Sequence, residues 1–380
     1  MTPREIFRET CTFGTPERTF RWEVIAAWAT TLERWHAEGL PPNEGDTLYS
    51  LYRYFGMDWH IGFLNFDVET GIITGTTRSP YAPPIPEETL EEDERTRIYR
   101  DTNGVIRKEF KEHKETSMPQ FLGFPVTNRR EWEALERERL QLNPADRFPS
   151  DWEALEKHIN HRDYPLGMQV TGAFGHPRNL LGLERLLVTY YDDPSWIHEI
   201  MENWAWLYEE IVAVVCSHFD LDYLLFWEDM AFNTAPLLSP QLFRQFMLPY
   251  YKRVVEVIRG HGVDLVFVDT DGNMESLIPL FLEAGINGFF PFERAAGMDP
   301  LRIRKRYGDA FAIFGGIDKR EFSKGRAAIA AEIEAIVPPL LESGGFIPML
   351  DHSAPPDISL DAMRFAIDQI RDWSRRIHGA

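Results

Sequence analysis

Two aspartates close the apolar run in VFVDTDGN, where Asp269 and Asp271 stand two residues apart. A strand sends alternate side chains the same way, so both carboxylates are expected to share a direction. Like charges aimed at one place repel unless a proton, a cation or a hydrogen-bonding substrate lies between them. Other apolar runs also end in acids: Glu228 and Asp229 in FWEDM, Glu293 in FPFE, Asp318 in FGGID, and Asp351 beside His352 in MLDHSAPP. Glu228 and Asp229 must face opposite sides, and Glu228 is taken as the inward one. His352, fixed ahead of a Pro-Pro turn, can carry a proton or bind a metal. His176 and Arg178 in GAFGHPRNLLG follow an earlier run. The planar fork of Arg178 suits a substrate carboxylate. Plainer readings stand beside these: Asp271 as a helix cap, His352 as a structural hydrogen-bonder, and Arg178 as a surface arginine at a helix start.

Such chemistry needs a scaffold that gathers distant segments. From about residue 165 onward the apolar runs GMQVTG, YLLFWED, DLVFVDTD, NGFFPFE, FAIFGG and GGFIPML alternate with amphipathic helices. Asp193-Pro194 opens one helix as N-cap and first residue, with Ile197, Met201, Trp204, Tyr208, Ile211 and Val215 as its apolar stripe. Ser239-Pro240 opens the next, expected to run through Phe243, Met247, Tyr250 and Val254 to Gly260. Asp299-Pro300 opens a shorter one closed by Gly308, and Pro338-Pro339 is expected to bend or break a helix that begins near Ser323.

Six β-then-α units in succession predict a parallel sheet with right-handed crossovers. RTFRWEV and IGFLNFDV supply two further strands, which makes the expected fold α/β, a (β/α)8 TIM barrel forming one domain over residues 1–380. No GxGxxG follows a strand, which argues against a dinucleotide-binding open sheet. Residues 75–165 break the rhythm. SPYAPPIPEETLEEDE reads as an extended surface segment, RIYRDTNGVIRKEF as a β-hairpin with Asn103-Gly104 at its tip, and EWEALERERL and DWEALEKHI as short helices. The region is an insertion beside the barrel, serving as a lid over its mouth or as a solvated decoration. In a barrel the acids at the strand ends would meet at that mouth.

Among the 380 residues, 60 acidic side chains against 40 basic give a net charge of −20. Nucleic acid and anionic membranes are therefore poor partners, since both demand a basic face. The opening MTPREIFRET lacks the apolar core of a signal peptide and no run is long enough to span a bilayer, so a cytoplasmic protein is expected. Cys11 and Cys216 form no disulfide framework, and Cys216 in IVAVVCSHF reads as a buried helical residue. The aromatic-rich ENWAWLYEEI suits a homodimer face or a core helix equally.

With these segments in place the chain resembles the uroporphyrinogen decarboxylase superfamily, most clearly from Gly172 to Pro356. The carriers are GAFGHPRNLLGLERLL, EDM, LSPQLFRQFMLPYYKRV, VDTDGN, FGGIDK and GGFIPMLDHSAPPDIS. The group includes porphyrinogen decarboxylases and corrinoid-linked methyltransferases. The decarboxylases carry an arginine-rich RQAGR motif that the corresponding PERTFRWEV lacks, which counts against a substrate with many carboxylates. The methyltransferases bind zinc through a His-x-Cys pair and a later cysteine; the matching positions are Asp269, Asp271 and His352. The resemblance thus implies a divalent metal, zinc or a harder ion, on Asp269, Asp271 and His352. It implies methyl transfer between a small substrate and a corrinoid carried by a separate protein, with Glu228 or His352 handling the proton. His176, Arg178, Glu293 and Asp318 would contact the substrate. Two alternatives stay open: cofactor-free decarboxylation of a small acid, with one protonated aspartate stabilising a carbanion-like intermediate, and a non-catalytic corrinoid- or tetrapyrrole-binding protein.

Overall fold

The computed structural model describes residues 1–23, 27–45, 48–60, 80–111, 119–149 and 151–379. Ten strands occur among them. β1 (Glu88–Glu92), β2 (Thr96–Arg100), β3 (Ile106–Phe110) and β4 (Gln120–Gly123) form an antiparallel sheet in sequence order. β5 (Gly167–Thr171), β6 (Tyr223–Trp227), β7 (Leu265–Asp269), β8 (Gly288–Phe290), β9 (Ala312–Phe314) and β10 (Phe346–Ile347) form a six-stranded parallel sheet, also in sequence order. All six expected apolar runs are these parallel strands. Of the two further strands expected, IGFLNFDV lies outside the described residues, and RTFRWEV forms no strand over its described part, 18–23.

Side-chain alternation splits the parallel sheet between two cores. Met168, Val170, Leu224, Phe226, Val266 and Val268 face the helices and join the larger cluster. Tyr223, Leu225, Leu265, Phe267, Phe290 and Phe314 face the other way and enclose Phe7, Phe20 and Trp22. Phe7 comes from the helix Pro3–Cys11, which starts with a capping box: Glu5 N–H donates to Thr2 Oγ1 at 3.2 Å and Thr2 N–H to Glu5 Oε2 at 2.7 Å. Its ring centroid lies 5.3 Å from that of Tyr223 and 5.2 Å from that of Phe20, so this helix plugs one face of the sheet.

On the outer face the helix Pro194–His218 follows the expected pattern. The Asp193 side chain accepts from Trp196 N–H, and all six stripe residues are buried. Trp204 adds a hydrogen bond from its indole N–H to the Thr171 carbonyl at 2.8 Å, fixing the helix against the end of β5. Cys216 in this helix is half-buried rather than buried.

Two helices depart from expectation. The segment after Ser239 is two helices, Pro240–Phe246 and Leu248–Gly260, with the break at Met247. Pro249 explains it, because its ring excludes the carbonyl four residues back and it has no N–H to give. The kink also shifts the stripe, burying Tyr251 and leaving Tyr250 half-exposed. Conversely, the helix Arg326–Ser343 begins later than expected and is not broken at Pro338 and Pro339. Each proline costs about 3 kcal/mol inside a helix. Burying Ile336, Val337, Leu340 and Leu341 at about 1.5–3 kcal/mol each offsets that.

Between 75 and 165 the expected hairpin is β2–β3, paired Thr96↔Phe110 through Arg100↔Ile106, with Gly104 at φ +77° by its tip. SPYAPPIPEETLEEDE, expected as an extended surface segment, contains the exposed strand β1. EWEALERERL and DWEALEKHI fall on the helices Arg129–Arg139 and Trp152–Ile159. Among the described residues no helix is long and apolar enough to cross a membrane.

Candidate functional site

β7 leaves the ladder after Asp269, whose backbone lies in register with Trp227 and Phe290. By alternation Asp269 shares the inner face with Phe267. Beyond it the chain turns. Thr270 N–H reaches the Phe290 carbonyl at 2.9 Å and Thr270 Oγ1 accepts Met230 N–H at 3.0 Å. Gly272 takes φ +77°, and a Cβ there would lie 2.7 Å from the Ala231 carbonyl oxygen and 2.6 Å from that of Phe232. Only glycine makes this turn so close to the neighbouring loop.

The turn delivers Asp271 to His352. Imidazole Nε2 stands 3.2 Å from Asp271 Oδ2. Glu293, past the end of β8, joins them and accepts Gly272 N–H at 2.7 Å. One donor atom each from Asp271, Glu293 and His352 lie within 4.8 Å of one another. The trio expected from sequence had Asp269 as its third member; the one brought together has Glu293. The strand rule that paired Asp269 with Asp271 stops applying once the chain leaves the sheet at Thr270.

The trio is electrostatically strained. Burial, reinforced by the charge of Asp271, raises the Glu293 pKa above the ordinary carboxylate range. For His352 burial works to lower the pKa, but the hydrogen bond and charge of Asp271 outweigh it and the net shift is upward. Its other ring nitrogen, Nδ1, is buried with no hydrogen-bond partner among the described residues. Asp351, 1% exposed, holds the surrounding loops. Its carboxylate accepts Arg294 N–H at 2.9 Å and Lys319 N–H at 3.1 Å, joining the loops after β8, β9 and β10. Burial raises its pKa against those two amides. Lys319 bears electrostatically on Glu293, Asp351 and His352. Neither the Asp351 latch nor Lys319 was read from the sequence as functional, although both lie in the motifs FGGIDK and MLDHSAPP.

The other expected residues lie apart from the trio. Glu228 was taken as the inward acid after β6, yet parity puts it on the outer face with Phe226, leaving Trp227 on the inner one. It is fully buried, and Oε2 accepts Phe174 N–H and Gly175 N–H, each at 2.8 Å. Burial pushes its pKa up to about 8 despite those amides, and Oε1 has no hydrogen-bond partner among the described residues. A Cβ on Gly172 would fall 2.1 Å from the Glu228 carboxyl group, so this loop is built around that side chain. Arg178 was expected on a substrate carboxylate, but Nη1 donates to the Asp229 carbonyl at 2.6 Å. Its guanidinium carbon lies 5.1 Å from the Trp227 ring centroid. Asp229 sits at φ +47°, a left-handed conformation that aspartate tolerates better than most residues. His176 is 2% exposed rather than at a mouth, and burial pushes its pKa down to about 3, so the ring is neutral. Asp318 caps the 3-10 turn Lys319–Lys324 and pairs with Arg320 at 2.6 Å.

Residues 109–373 match the family model described as uroporphyrinogen decarboxylase (URO-D). Among solved structures, a methyltransferase from Methanosarcina mazei is similar over 98% of this chain and 99% of its own, at TM-score 0.63 and 12% sequence identity. At that identity the likeness is one of fold. A B12-independent methionine synthase from Shewanella sp. W3-18-1 is similar over 60% of this chain and 66% of its own, at TM-score 0.36 and 11% identity. No curated protein sequence matches the chain.

Proposed function

The chain belongs to the uroporphyrinogen decarboxylase family, and from that premise we propose that it is a methyltransferase acting on a small methylated substrate. Its working site is Asp271, Glu293 and His352, which would hold a divalent metal, zinc or a harder ion. We take the six parallel strands to continue into the closed eight-stranded barrel, with the trio at its mouth. The methyl group would be exchanged with a corrinoid carried by a separate protein.

The observation that carries this reading is the convergence of three donor atoms within 4.8 Å. Tetrahedral ligands at about 2.0–2.2 Å from a common ion lie roughly 3.3–3.6 Å apart, so binding would draw these three donor atoms closer together. Two carboxylates and an imidazole also match the donor preferences of zinc and of harder divalent ions. A cation would offset the burial and the charge of Asp271 that together raise the Glu293 pKa. When bound, the metal supplies Lewis acidity toward a heteroatom of the substrate. The chain's own residues do the rest. Gly272 N–H orients Glu293, and Asp351 fixes the loop that bears His352. Asp271 Oδ2 and His352 Nε2 share a proton across 3.2 Å until a ligand displaces it. Ligation through Nε2 leaves the ring hydrogen on Nδ1, where substrate or water must accept it.

Elemental analysis tests the proposal. About one divalent ion per chain in the purified protein, lost in Asp271→Ala and Glu293→Gln, is the expected result. Metal-free protein that remains active refutes it and favours a second reading, cofactor-free decarboxylation of a small acid. The raised Glu293 pKa supports that alternative, because a carboxyl group kept protonated can donate to a carbanion-like intermediate.

A further inference from the structure

The loop after β9 carries a positive charge that the trio does not use. Gly315 and Gly316 bring the chain out of β9 at φ +90° and +89°, and a Cβ on Gly315 would lie 3.1 Å from the Leu350 carbonyl oxygen. Beyond them Ile317 pairs with Leu350 in a parallel bridge, and Asp351 N–H donates to the Ile317 carbonyl at 2.9 Å. Lys319 and His352 each stand two residues past that bridge, so the two loops carry them to the same level. The Asp351 carboxylate fixes this arrangement. One oxygen takes Lys319 N–H, and the other takes the N–H of Arg294, the neighbour of Glu293. Lys319 is thereby rooted beside two members of the trio.

The other charges around this turn are paired. Asp318 meets Arg320 at 2.6 Å and Glu321 meets Lys324 at 2.7 Å. Arg294, across the latch, lies 3.3 Å from Asp299. The Lys319 ammonium has no hydrogen-bond or ion-pair partner among the described residues. The residue is half-buried, and its charge is felt by its neighbours: it favours the ionised forms of Glu293 and Asp351 and opposes protonation of His352. The trio it adjoins is open to solvent, since the side chains of His352 and Asp271 are 21% and 39% exposed.

A divalent ion on the trio would cancel the charges of Asp271 and Glu293, and a ligating imidazole is neutral. Both oxygens of Asp351 are already held by backbone amides. The Lys319 ammonium is then left as an unanswered positive charge at the edge of the site. We propose that Lys319 binds the anionic group of the substrate, which makes that substrate a small methylated carboxylate. This assignment rests on the metal-site reading above and adds to it the charge of the substrate. A compact ammonium on a flexible stem can follow a carboxylate while the methyl-bearing heteroatom lies at the trio. A polyanion fits less well, because one ammonium stands there against the carboxylates of Asp271 and Glu293.

Isothermal titration of the zinc-loaded protein with methoxyacetate tests this, with 2-methoxyethanol as the uncharged control. Wild type should bind methoxyacetate at one site, and Lys319→Gln should weaken it about tenfold or more. Lys319→Arg keeps the charge and should recover most of the affinity. Binding of 2-methoxyethanol should be weaker and indifferent to Lys319→Gln. Zinc affinity, measured by competition with a chromophoric chelator, should be equal or tighter in Lys319→Gln, because the substitution removes a cation from beside the site. Absence of methoxyacetate binding to wild type overturns the proposal, as does an unchanged affinity in Lys319→Gln. Weaker zinc binding in Lys319→Gln also overturns it, and would make Lys319 a support of the trio instead. Should wild type take up no zinc, the metal-site reading fails by itself. The same titrations on the metal-free protein then decide the role of Lys319, upheld by loss of methoxyacetate binding in Lys319→Gln and overturned by its persistence.

Discussion

Replacing Glu228 by glutamine should stabilise the protein, and more so as pH rises. The folded carboxyl group titrates near 8 against an ordinary value of 4.5. Between those values the native state holds a proton that the unfolded state has lost, so wild-type stability falls with rising pH. At about 1.36 kcal/mol per pH unit, the loss reaches roughly 3 kcal/mol at pH 7 and roughly 5 kcal/mol at pH 9. Glutamine is neutral in both states and escapes this loss. Its carbonyl can still accept the Phe174 and Gly175 amides. Its NH2 group occupies the Oε1 position, which has no partner in the parent either. Scaling unfolding entropy to 380 residues gives about 1.25 °C per kcal/mol. Thermal and urea unfolding of both proteins should therefore coincide near pH 4, with Glu228→Gln about 4 °C higher at pH 7 and about 6 °C higher at pH 9. A variant no more stable than wild type at pH 9, with the same pH slope, would refute the reasoning and mean that the buried carboxylate is ionised.

Gly172→Ala sets a methyl 2.1 Å from that same carboxyl group and should cost about 3 kcal/mol. Adding Glu228→Ala removes the clash, so the double variant should lose less than the sum of the singles in urea titrations. Asp271→Asn removes what raises the His352 pKa, so its imidazole resonance should titrate at lower pH than in wild type; an unmoved midpoint would dissociate the pair. Phe7→Ala empties the plug beneath Trp22 and Tyr223 and should cost about 3–5 kcal/mol, read as a fall in the urea midpoint.

The parallel strands were legible because each is a short apolar run bounded by turn residues, and Asp193-Pro194, Ser239-Pro240 and Asp299-Pro300 mark helix entries by local hydrogen bonding alone. What stayed illegible depends on geometry beyond those runs. Asp271 meets His352 only because Gly272 turns the chain against the Ala231 and Phe232 carbonyls, so Glu293 rather than Asp269 becomes the third donor. Glu228 was misplaced by one step of strand parity. Arg178 looked available because nothing local reveals that Asp229, in a left-handed turn, offers it a carbonyl. Pro338-Pro339 looked like a break because the sequence does not announce how much aliphatic surface that helix buries.

From β5 to β10, every strand beds against the one made immediately before it. Over this run a chain emerging from the ribosome need not wait for a distant partner: each finished βα unit leaves an open edge, and the next strand to appear seals it. Growth by addition at one margin keeps the sequence distance between partners short, so assembly of this run can keep pace with synthesis while the outer edge of β5 waits open.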